Sequence, residues 1–181
     1  MKLYIFISYE YLKERKRLLL NRIEFFSNED NLLDHGRNEQ SIEKEYRDAN
    51  EKKLIQKIIN LLEDYFSGQK IELFDAISEA DIDLNLKAKF STDFSLKVIN
   101  YLINNVKYGE TISYSEIGKN IGSRAYRAVG NVMRRNPLPL IIPCHRVIKN
   151  NGSLGGFGGY NGDEWQHELK SKLLRIEGSR S

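Results

Sequence analysis

Cysteine is nearly absent from this 181-residue sequence: Cys144 is its single cysteine, so no intramolecular disulfide can form. This usage is typical of a reducing compartment, and we expect a cytoplasmic location, or the nucleus in a eukaryote. The three histidines, His35, His145 and His167, lack the spacing of zinc ligands. Because a zinc site needs three or four cysteine, histidine or carboxylate ligands, we expect no bound metal.

Long apolar runs are also missing. The first apolar stretch, residues 3–9, is too short for the core of a signal peptide and runs into Lys13, Arg15 and Lys16. We therefore expect no secretory or membrane segment. The composition, 40% apolar and 29% charged, is that of an ordinary soluble globular protein with room for one large or two small domains.

The net charge of +3 is small but unevenly placed. Residues 107–150 contain only two acidic residues, Glu110 and Glu116, against eight basic ones: Lys107, Lys119, Arg124, Arg127, Arg134, Arg135, Arg146 and Lys149. This segment therefore carries +6, and the rest of the chain carries −3. A basic middle on an acidic chain indicates contact with a polyanion, but a solvated helix face gives the same pattern. Charge alone leaves both interpretations open.

The first half has the pattern of a small sheet covered by a helix. Residues 2–9 and 17–26 are rich in β-branched and aromatic residues and predict a pair of strands. A polar loop is predicted to lead into a helix over residues 46–66, where apolar residues recur at helical spacing. Residues 71–89 are acidic and weakly periodic, and we interpret them as a connection between two domains, 1–88 and 89–181.

The second half is predicted to be mostly helical. Ser91 or Thr92 can cap a helix whose apolar stripe runs to about residues 108–109. Near the end of the chain, Asp163 and Gln166 have capping spacing and open a final helix.

Two shorter helices are predicted between them. Ser113 and Glu116 have capping-box spacing, which places Tyr114 in the first turn of a short helix. After a glycine, Ser123 can cap a second, basic helix over residues 124–135. Two short helices joined by a glycine turn are typical of a helix-turn-helix.

Cys144 lies in the segment Ile142-Pro143-Cys144-His145-Arg146-Val147. Most lone cysteines are small buried hydrophobic residues. Here His145 and Arg146 follow directly, and cationic neighbours lower the pKa of a thiol. Pro143 stiffens the approach to the cysteine, as suits a side chain that must be aimed. These features favour a reactive cysteine.

The segment resembles the active-site motif of the methylated-DNA–protein-cysteine methyltransferases, also called alkylguanine-DNA alkyltransferases. The likeness covers residues 94–178 and includes further motifs in the family's order: Gly109-Glu110-Thr111-Ile112-Ser113-Tyr114, Arg127-Ala128-Val129-Gly130, Asn136-Pro137, Glu164-Trp165 and Glu177-Gly178. The first ninety residues match only in size and in the order sheet then helix. The resemblance implies an α+β fold. A small antiparallel sheet with a helix, ribonuclease-H-like, precedes a mostly helical domain with a helix-turn-helix and the active-site cysteine.

The resemblance implies DNA repair by a direct reaction. A methyl or other alkyl group would move from O6 of a guanine, flipped out of the duplex through the minor groove, to Cys144, once and irreversibly. His145 would act as the base through a water, oriented by Glu177, and Tyr114 would donate a hydrogen bond to the leaving guanine. Asn136 resembles the hinge residue between the DNA-binding helix and the active-site segment. No metal or organic cofactor is needed, the partner is double-stranded DNA containing alkylated guanine, and we expect a monomer.

The resemblance also implies a DNA-binding surface and a pocket for the base. Arg127 matches the arginine that fills the gap left by the flipped nucleotide, although without the family a solvated arginine is the simpler interpretation. The other residues implied at the DNA surface are Ser123, Tyr126, Ala128, Gly130 and Arg134. Those implied at the pocket are Met133, Val147, Phe157, Gly158 and Gly159. A glycine inside a helix costs about 1 kcal/mol relative to alanine, which favours a close approach of DNA at Gly130, with packing as the alternative.

Two positions depart from the family's pattern. Tyr126 is bulky where the family commonly has alanine or proline, which puts the contact with the groove in question. Gly158 lacks the hydroxyl that many members carry there, which puts recognition of the alkylated oxygen in question. Some relatives bind zinc through cysteines in the first domain, and this chain has none there.

Three other functions fit parts of the sequence. A binding module would recognise alkylated bases without transfer, but relatives of that kind lack the acceptor cysteine. A transcription regulator with a sensor cysteine would bind spaced half-sites, usually as a dimer, and no dimerisation seam is evident. A cysteine hydrolase would need an oxyanion hole, for which the sequence has no signature.

Overall fold

The computed structural model describes residues 3–27, 46–157 and 164–179. Two long strands open the chain: β1 (Tyr4–Leu12) and β2 (Arg17–Phe26) pair antiparallel, with a bulge between Ser8 and Tyr9. The predicted strand pair is confirmed, and β1 extends three residues further than the prediction. A 3-10 turn, Lys13–Arg15, connects the strands, and Lys16 closes it in the left-handed conformation at φ 50°.

The helix α1 (Ala49–Phe66) packs its apolar stripe on this sheet. The Asp48 carboxylate caps the helix by accepting from the backbone N–H groups of Asn50 and Glu51, which satisfies donors that the first turn leaves unpaired. Ser67 follows as the C-cap, and Gly68 adopts φ 91°, so the predicted end of the helix is confirmed.

The predicted connection over residues 71–89 is more ordered than expected. It contains helix α2 (Leu73–Ser78), strand β3 (Ile82–Asp83) and helix α3 (Leu86–Lys89). Strand β3 pairs parallel with β2, so the sheet is mixed, in the order β1-β2-β3. The antiparallel sheet that the resemblance implies is found for β1 and β2 and does not extend to β3. The buried side chains that hold the segment to the core are Leu73, Ile77, Ile82 and Leu84.

The second half begins with α4 (Asp93–Asn105), which Thr92 caps. It ends three residues earlier than predicted, with Val106 as its C-cap in extended conformation. The short strand β4 (Ile112–Ser113) pairs parallel with β5 (Val147–Ile148), and the last helix is α7 (Glu164–Ile176). The predicted cap of α7, Asp163, lies outside the described residues.

Helices α5 (Tyr114–Asn120) and α6 (Tyr126–Arg134) lie between β4 and the cysteine segment. The predicted capping box is confirmed: Ser113 Oγ accepts from the Glu116 N–H, and the Glu116 carboxylate accepts from the Ser113 N–H. Ser123 is not the cap of α6, because that helix begins later than predicted and Ala125 is its N-cap residue. The Ser123 hydroxyl accepts instead from the Ala125 N–H, at 3.1 Å.

Buried residues of both halves form one continuous cluster within the described part of the chain. Its largest fully buried members include Leu18, Ile58, Ile99 and Leu138. Strand β2 also reaches the second half through its backbone, since the N–H of Ile23 donates to the carbonyl of Pro137 at 2.9 Å. The division at residue 88 stays a prediction. Among the described helices, none has the length and hydrophobicity needed to cross a membrane.

Candidate active site

A tight turn presents Cys144. Its N–H donates to the carbonyl of Ile142 at 2.7 Å, and Pro143 between them has φ −79° and ψ 56°, values typical of an inverse γ-turn. Upstream, Leu140 is buried and has φ 72°, a conformation that costs a branched side chain about 1–3 kcal/mol and that the surrounding packing must impose. A 3-10 turn, Cys144–Arg146, follows. The cysteine is therefore held in a rigid loop, only 6% exposed.

Asn136 connects the end of α6 to this loop. Its side-chain amide donates to the carbonyl of Ile142 at 3.0 Å and to Cys144 Sγ at 3.2 Å, and its Oδ1 accepts from the Leu138 N–H at 3.0 Å. These three bonds tie Asn136 to the cysteine segment, and its role as a hinge stays a prediction. The hydrogen bond from the Asn136 side chain to sulfur favours the thiolate, because a donated hydrogen bond stabilises the charged form.

The side chains of His145 and Glu177 form a fully buried pair, with Nε2 2.8 Å from Oε1. Because a carboxylate only accepts, the shared proton is assigned to Nε2, and Nδ1 then carries a lone pair. Nδ1 is buried and has no hydrogen-bond partner among the described residues. Burial lowers the pKa of His145, so the ring is neutral at neutral pH. A neutral imidazole with an unengaged lone pair can accept a proton.

Glu177 is the most heavily bonded carboxylate of the site. Burial alone would raise its pKa, but the hydrogen bonds of His145 and Arg146 lower that pKa to about 2. Arg146 donates to both of its oxygens, through Nε at 3.0 Å and Nη2 at 3.1 Å. The N–H of Gly109 adds a bond at 3.2 Å.

The prediction that His145 and Arg146 lower the thiol pKa is wrong. Arg146 is 3% exposed, and its guanidinium bonds Glu177, Glu72 and the carbonyl of Val106. Burial raises the pKa of Cys144, and the bond from Asn136 and the charge of Lys170 oppose that rise. The thiol therefore needs a base to become nucleophilic, and His145 does not supply a positive charge.

Lys170, on α7, was not predicted from the sequence. It is 0% exposed, and its ammonium donates to the carbonyls of Val147 at 2.6 Å, Gly156 at 3.3 Å and Leu154. Burial lowers its pKa to about 8, and the charge of Cys144 opposes the change. One sequence signal was available: Lys170 falls three residues before the buried Leu173 and so on the apolar stripe of its helix.

Tyr114 lies at the start of α5 beside two glycines. A Cβ added at Gly155 would come within 3.2 Å of its hydroxyl, and one at Gly130 would lie 4.0 Å from its ring. Burial raises the pKa of Tyr114 to about 12, and Cys144 adds to the rise when it is ionised. The phenol therefore keeps its proton and remains a hydrogen-bond donor.

The exposed basic residues of segment 107–150 include two on helix α6, Arg127 and Arg134. Seven of the eight basic residues of segment 107–150 are exposed, and buried Arg146 is the exception: Lys107, Lys119, Arg124, Arg127, Arg134, Arg135 and Lys149. Arg127 lies on the second residue of α6 and is exposed, while Ala128 and Gly130 are half-buried. The Tyr126 ring packs on Gly118 of α5, where an added Cβ would lie 2.6 Å from Tyr126 Cδ1. The bulk of Tyr126 therefore fills the α5–α6 contact.

The residues predicted at the pocket are only partly described. Met133, Val147 and Phe157 are buried near the cysteine segment. The Phe157 ring stacks on Phe25 of β2 with centroids 6.2 Å apart and meets the His145 ring edge-on at 6.5 Å. Gly158 and Gly159 lie outside the described residues.

The site thus combines a thiol, an imidazole with a buried lone pair and a carboxylate that orients the imidazole. Nucleophile, base and orienting group together are the combination that activates a cysteine as a nucleophile.

The chain is similar in sequence to proteins of one known family. Residues 93–179 match the family described as 6-O-methylguanine DNA methyltransferase, DNA binding domain. The chain is 42% identical over 127 residues to the methylated-DNA–protein-cysteine methyltransferase of Methanosarcina barkeri, covering 70% of each chain. It is 41% identical over 119 residues to the protein of that name from Methanosarcina acetivorans, covering 65% of each. The match thus spans about two thirds of these relatives' length.

Two solved structures are similar in fold. Mycobacterium tuberculosis OGT in complex with DNA aligns with a TM-score of 0.53 at 35% identity, over 67% of this chain and 65% of that one. The O6-methylguanine-DNA methyltransferase of Pyrococcus kodakaraensis aligns with a TM-score of 0.59 at 21% identity, over 97% of this chain and 99% of that one. The second likeness shows that the mixed α and β fold extends over both halves.

Proposed function

The chain belongs to the family of methylated-DNA–protein-cysteine methyltransferases, and on that premise we propose that it repairs DNA by taking an alkyl group from O6 of guanine onto Cys144. The transfer is stoichiometric and irreversible, so each chain acts once. The observation that carries the proposal is the setting of Cys144: its sulfur accepts from Asn136, and His145, the next residue in the chain, forms a buried pair with Glu177.

The reaction begins with removal of the thiol proton. Because burial keeps Cys144 protonated, His145 takes the proton through its free Nδ1, by way of a water, and Glu177 stabilises the imidazolium that forms. The thiolate then attacks the alkyl carbon. The S–C bond forms as the C–O6 bond breaks, and the electron pair of the broken bond stays on the guanine.

Tyr114 acts on the leaving base. Its raised pKa keeps the phenol protonated, so it can donate a hydrogen bond to the negative charge that develops on guanine. The proton that His145 took from Cys144 passes through water to the guanine, which leaves unmodified, and the thioether on Cys144 is permanent.

DNA is the partner that fits the exposed basic surface. Helices α5 and α6 act as a helix-turn-helix, α6 enters the minor groove, and Arg127 fills the gap left by the flipped nucleotide. The similar Mycobacterium tuberculosis protein was solved with DNA, which supports this partner. The first half, with its sheet and α1, corresponds to the ribonuclease-H-like domain that the family resemblance implies.

The serine variant Cys144→Ser tests this function. It keeps the shape of the loop but replaces the nucleophile by a hydroxyl that stays protonated at neutral pH. We expect wild-type protein to remove one methyl group per chain from duplex DNA bearing O6-methylguanine, and the variant to remove none while binding the same duplex with similar affinity. Lesion removal by the variant would contradict the role of Cys144, and wild-type binding without removal would indicate a binding module.

A further inference from the structure

A tyrosine from the first half of the chain reaches the centre of the active site. Tyr65, in the last turn of α1, is 1% exposed, and its hydroxyl donates to Glu177 Oε1 at 2.8 Å. The same hydroxyl oxygen lies 3.3 Å from His145 Nε2. The Tyr65 ring meets the His145 ring edge-on, with centroids 6.4 Å apart.

We propose that Tyr65 is a positioning residue for alkyl transfer, whose hydroxyl holds Glu177 and thereby fixes the ring and proton of His145. The inference rests on the proposed function, because it concerns the base of that reaction. It also gives the first half of the chain a role in the chemistry in addition to support of the fold.

The hydrogen bonds at Glu177 Oε1 carry the argument. This one oxygen accepts from Tyr65, from His145 Nε2 at 2.8 Å and from Arg146 Nη2 at 3.1 Å. Each added donor disperses the negative charge, which weakens the pull of the carboxylate on the imidazole proton. Without the Tyr65 hydroxyl, Glu177 would hold a protonated His145 more strongly, and the imidazole would be charged up to a higher pH.

A purely space-filling role does not account for the hydroxyl. Phenylalanine would occupy nearly the same volume in the core without burying a polar group, and a buried hydroxyl costs free energy unless it is bonded. Here the hydroxyl is aimed at the one carboxylate that orients the proposed base. Burial raises the pKa of Tyr65, so the group stays a donor throughout the working pH range.

Other charged groups also act on His145, and they come from several elements. Arg146 and Lys170 lower its pKa, and Glu177 raises it. The titratable or charged groups around the His145–Glu177 pair are Tyr65, Tyr108, Cys144, Arg146, Lys170 and, through Arg146, Glu72. A Tyr65→Phe variant leaves all of the others in place, so its effect isolates the contacts of one hydroxyl, of which the bond to Glu177 is the shorter.

Two further contacts bring the first half to the same place. The Glu72 carboxylate accepts from Arg146 Nη1 at 3.0 Å and from the Tyr108 N–H at 2.6 Å. Phe25 stacks on Phe157, which in turn meets the His145 ring. Tyr65 is the member of this group that bonds the His145–Glu177 pair directly.

The test compares Tyr65→Phe with a matched control, Tyr11→Phe. Tyr11 is also a buried tyrosine of the first half, 2% exposed, and its hydroxyl donates to a carboxylate, Asp48, at 3.0 Å. The Tyr11 hydroxyl also accepts from the Asn50 side chain, and neither partner belongs to the proposed site. The measurements are the pH profile of the rate of transfer from O6-methylguanine DNA and the titration of His145 by nitrogen NMR of the imidazole. The chain has only three histidines, so the His145 signals can be assigned by substitution of the other two.

We expect Tyr65→Phe to raise the pH midpoint of both curves by about half a unit or more, the size expected for one lost hydrogen bond to a charged group. Tyr11→Phe should leave both midpoints unchanged even if it melts at a lower temperature. Unchanged midpoints in Tyr65→Phe, or equal shifts in both variants, would overturn the inference. The NMR titration needs no transfer, so it tests Tyr65 even if the wild-type protein transfers nothing, which is the result that would reject the proposed function.

Discussion

At the scale of residues, the site depends on the ionised carboxylate of Glu177. Its two oxygens accept from His145, Arg146, Tyr65 and Gly109, and its side chain is fully buried. These hydrogen bonds stabilise the folded protein most while the carboxylate is ionised. Protonation weakens each of them and leaves the buried charge of Arg146 without its buried partner.

This arrangement predicts a loss of stability in acid. The pKa of Glu177 is about 2 in the folded protein and 4.5 in an ordinary setting, so its contribution is complete above pH 4.5 and is lost as pH falls from 4.5 towards 2. The full contribution is about 3 kcal/mol of the free energy of unfolding. We expect Glu177→Gln to be much less stable than wild type to urea at pH 7, and the difference to shrink at pH 3. A difference that does not change with pH would contradict this role.

The sequence could propose Cys144, His145, Glu177, Tyr114 and Asn136 as site residues, because each lies in a short motif that resembles the family's. It could not identify Tyr65, whose contact with Glu177 spans 112 positions. Nor could it show that the Arg146 guanidinium bonds Glu177 and not the thiol of Cys144. The sequence Cys144-His145-Arg146 is compatible with either direction of the arginine side chain. The Tyr65 contact depends on the packing of the two halves, and the Arg146 contact depends on the fold of the second half; no local pattern encodes either.

At the scale of elements, the contact of α5 with α6 depends on one glycine. Gly118 lets the Tyr126 ring lie directly on α5, and an added Cβ there would also come within 2.9 Å of the Ser123 carbonyl oxygen. Gly130 of α6 has no such constraint, because its nearest neighbour is the Tyr114 ring at 4.0 Å. The tight packing contact between the two helices thus lies at Gly118, and the close approach of DNA predicted at Gly130 stays a prediction.

The two glycines predict opposite results for the same substitution. Gly118→Ala forces a shift against backbone and should lower the free energy of unfolding by about 1–3 kcal/mol. Gly130→Ala meets only ordinary contact and should raise it by up to about 1 kcal/mol, through the higher helix propensity of alanine. Urea unfolding of both variants checks this. Equal destabilisation by the two substitutions would mean that the α5–α6 contact is not the constraint.

Secondary structure was predicted best where capping and periodicity agree. The box at Ser113 and Glu116 and the stripe of α1 both predicted the observed helices. The start of α6 was predicted too early, because Ser123 bonds Ala125 in the turn and not the first turn of a helix. Strand β3 was missed because two residues in parallel pairing carry no pattern of their own.

At the scale of the whole molecule, the exposed basic residues are distinct from the buried groups around Cys144. The seven exposed basic residues of segment 107–150 lie on the second half, while Arg146, the eighth, is buried in the ion pairs of the site. Contacts from Phe25, Tyr65 and Glu72 join the first half to that site. The exposed basic residues available for DNA therefore lie on the second half, and the groups proposed to activate Cys144 lie where the two halves meet.

The central claim is that Cys144 becomes the permanent acceptor of the alkyl group. Its most direct test is peptide mass mapping of wild-type protein after incubation with duplex DNA bearing a single O6-methylguanine. We predict that the peptide containing Cys144 gains the mass of one methyl group in place of hydrogen, in an amount that rises to one per chain and does not reverse. Repaired DNA with an unmodified Cys144 peptide, or a methyl group on any other residue, would contradict the account.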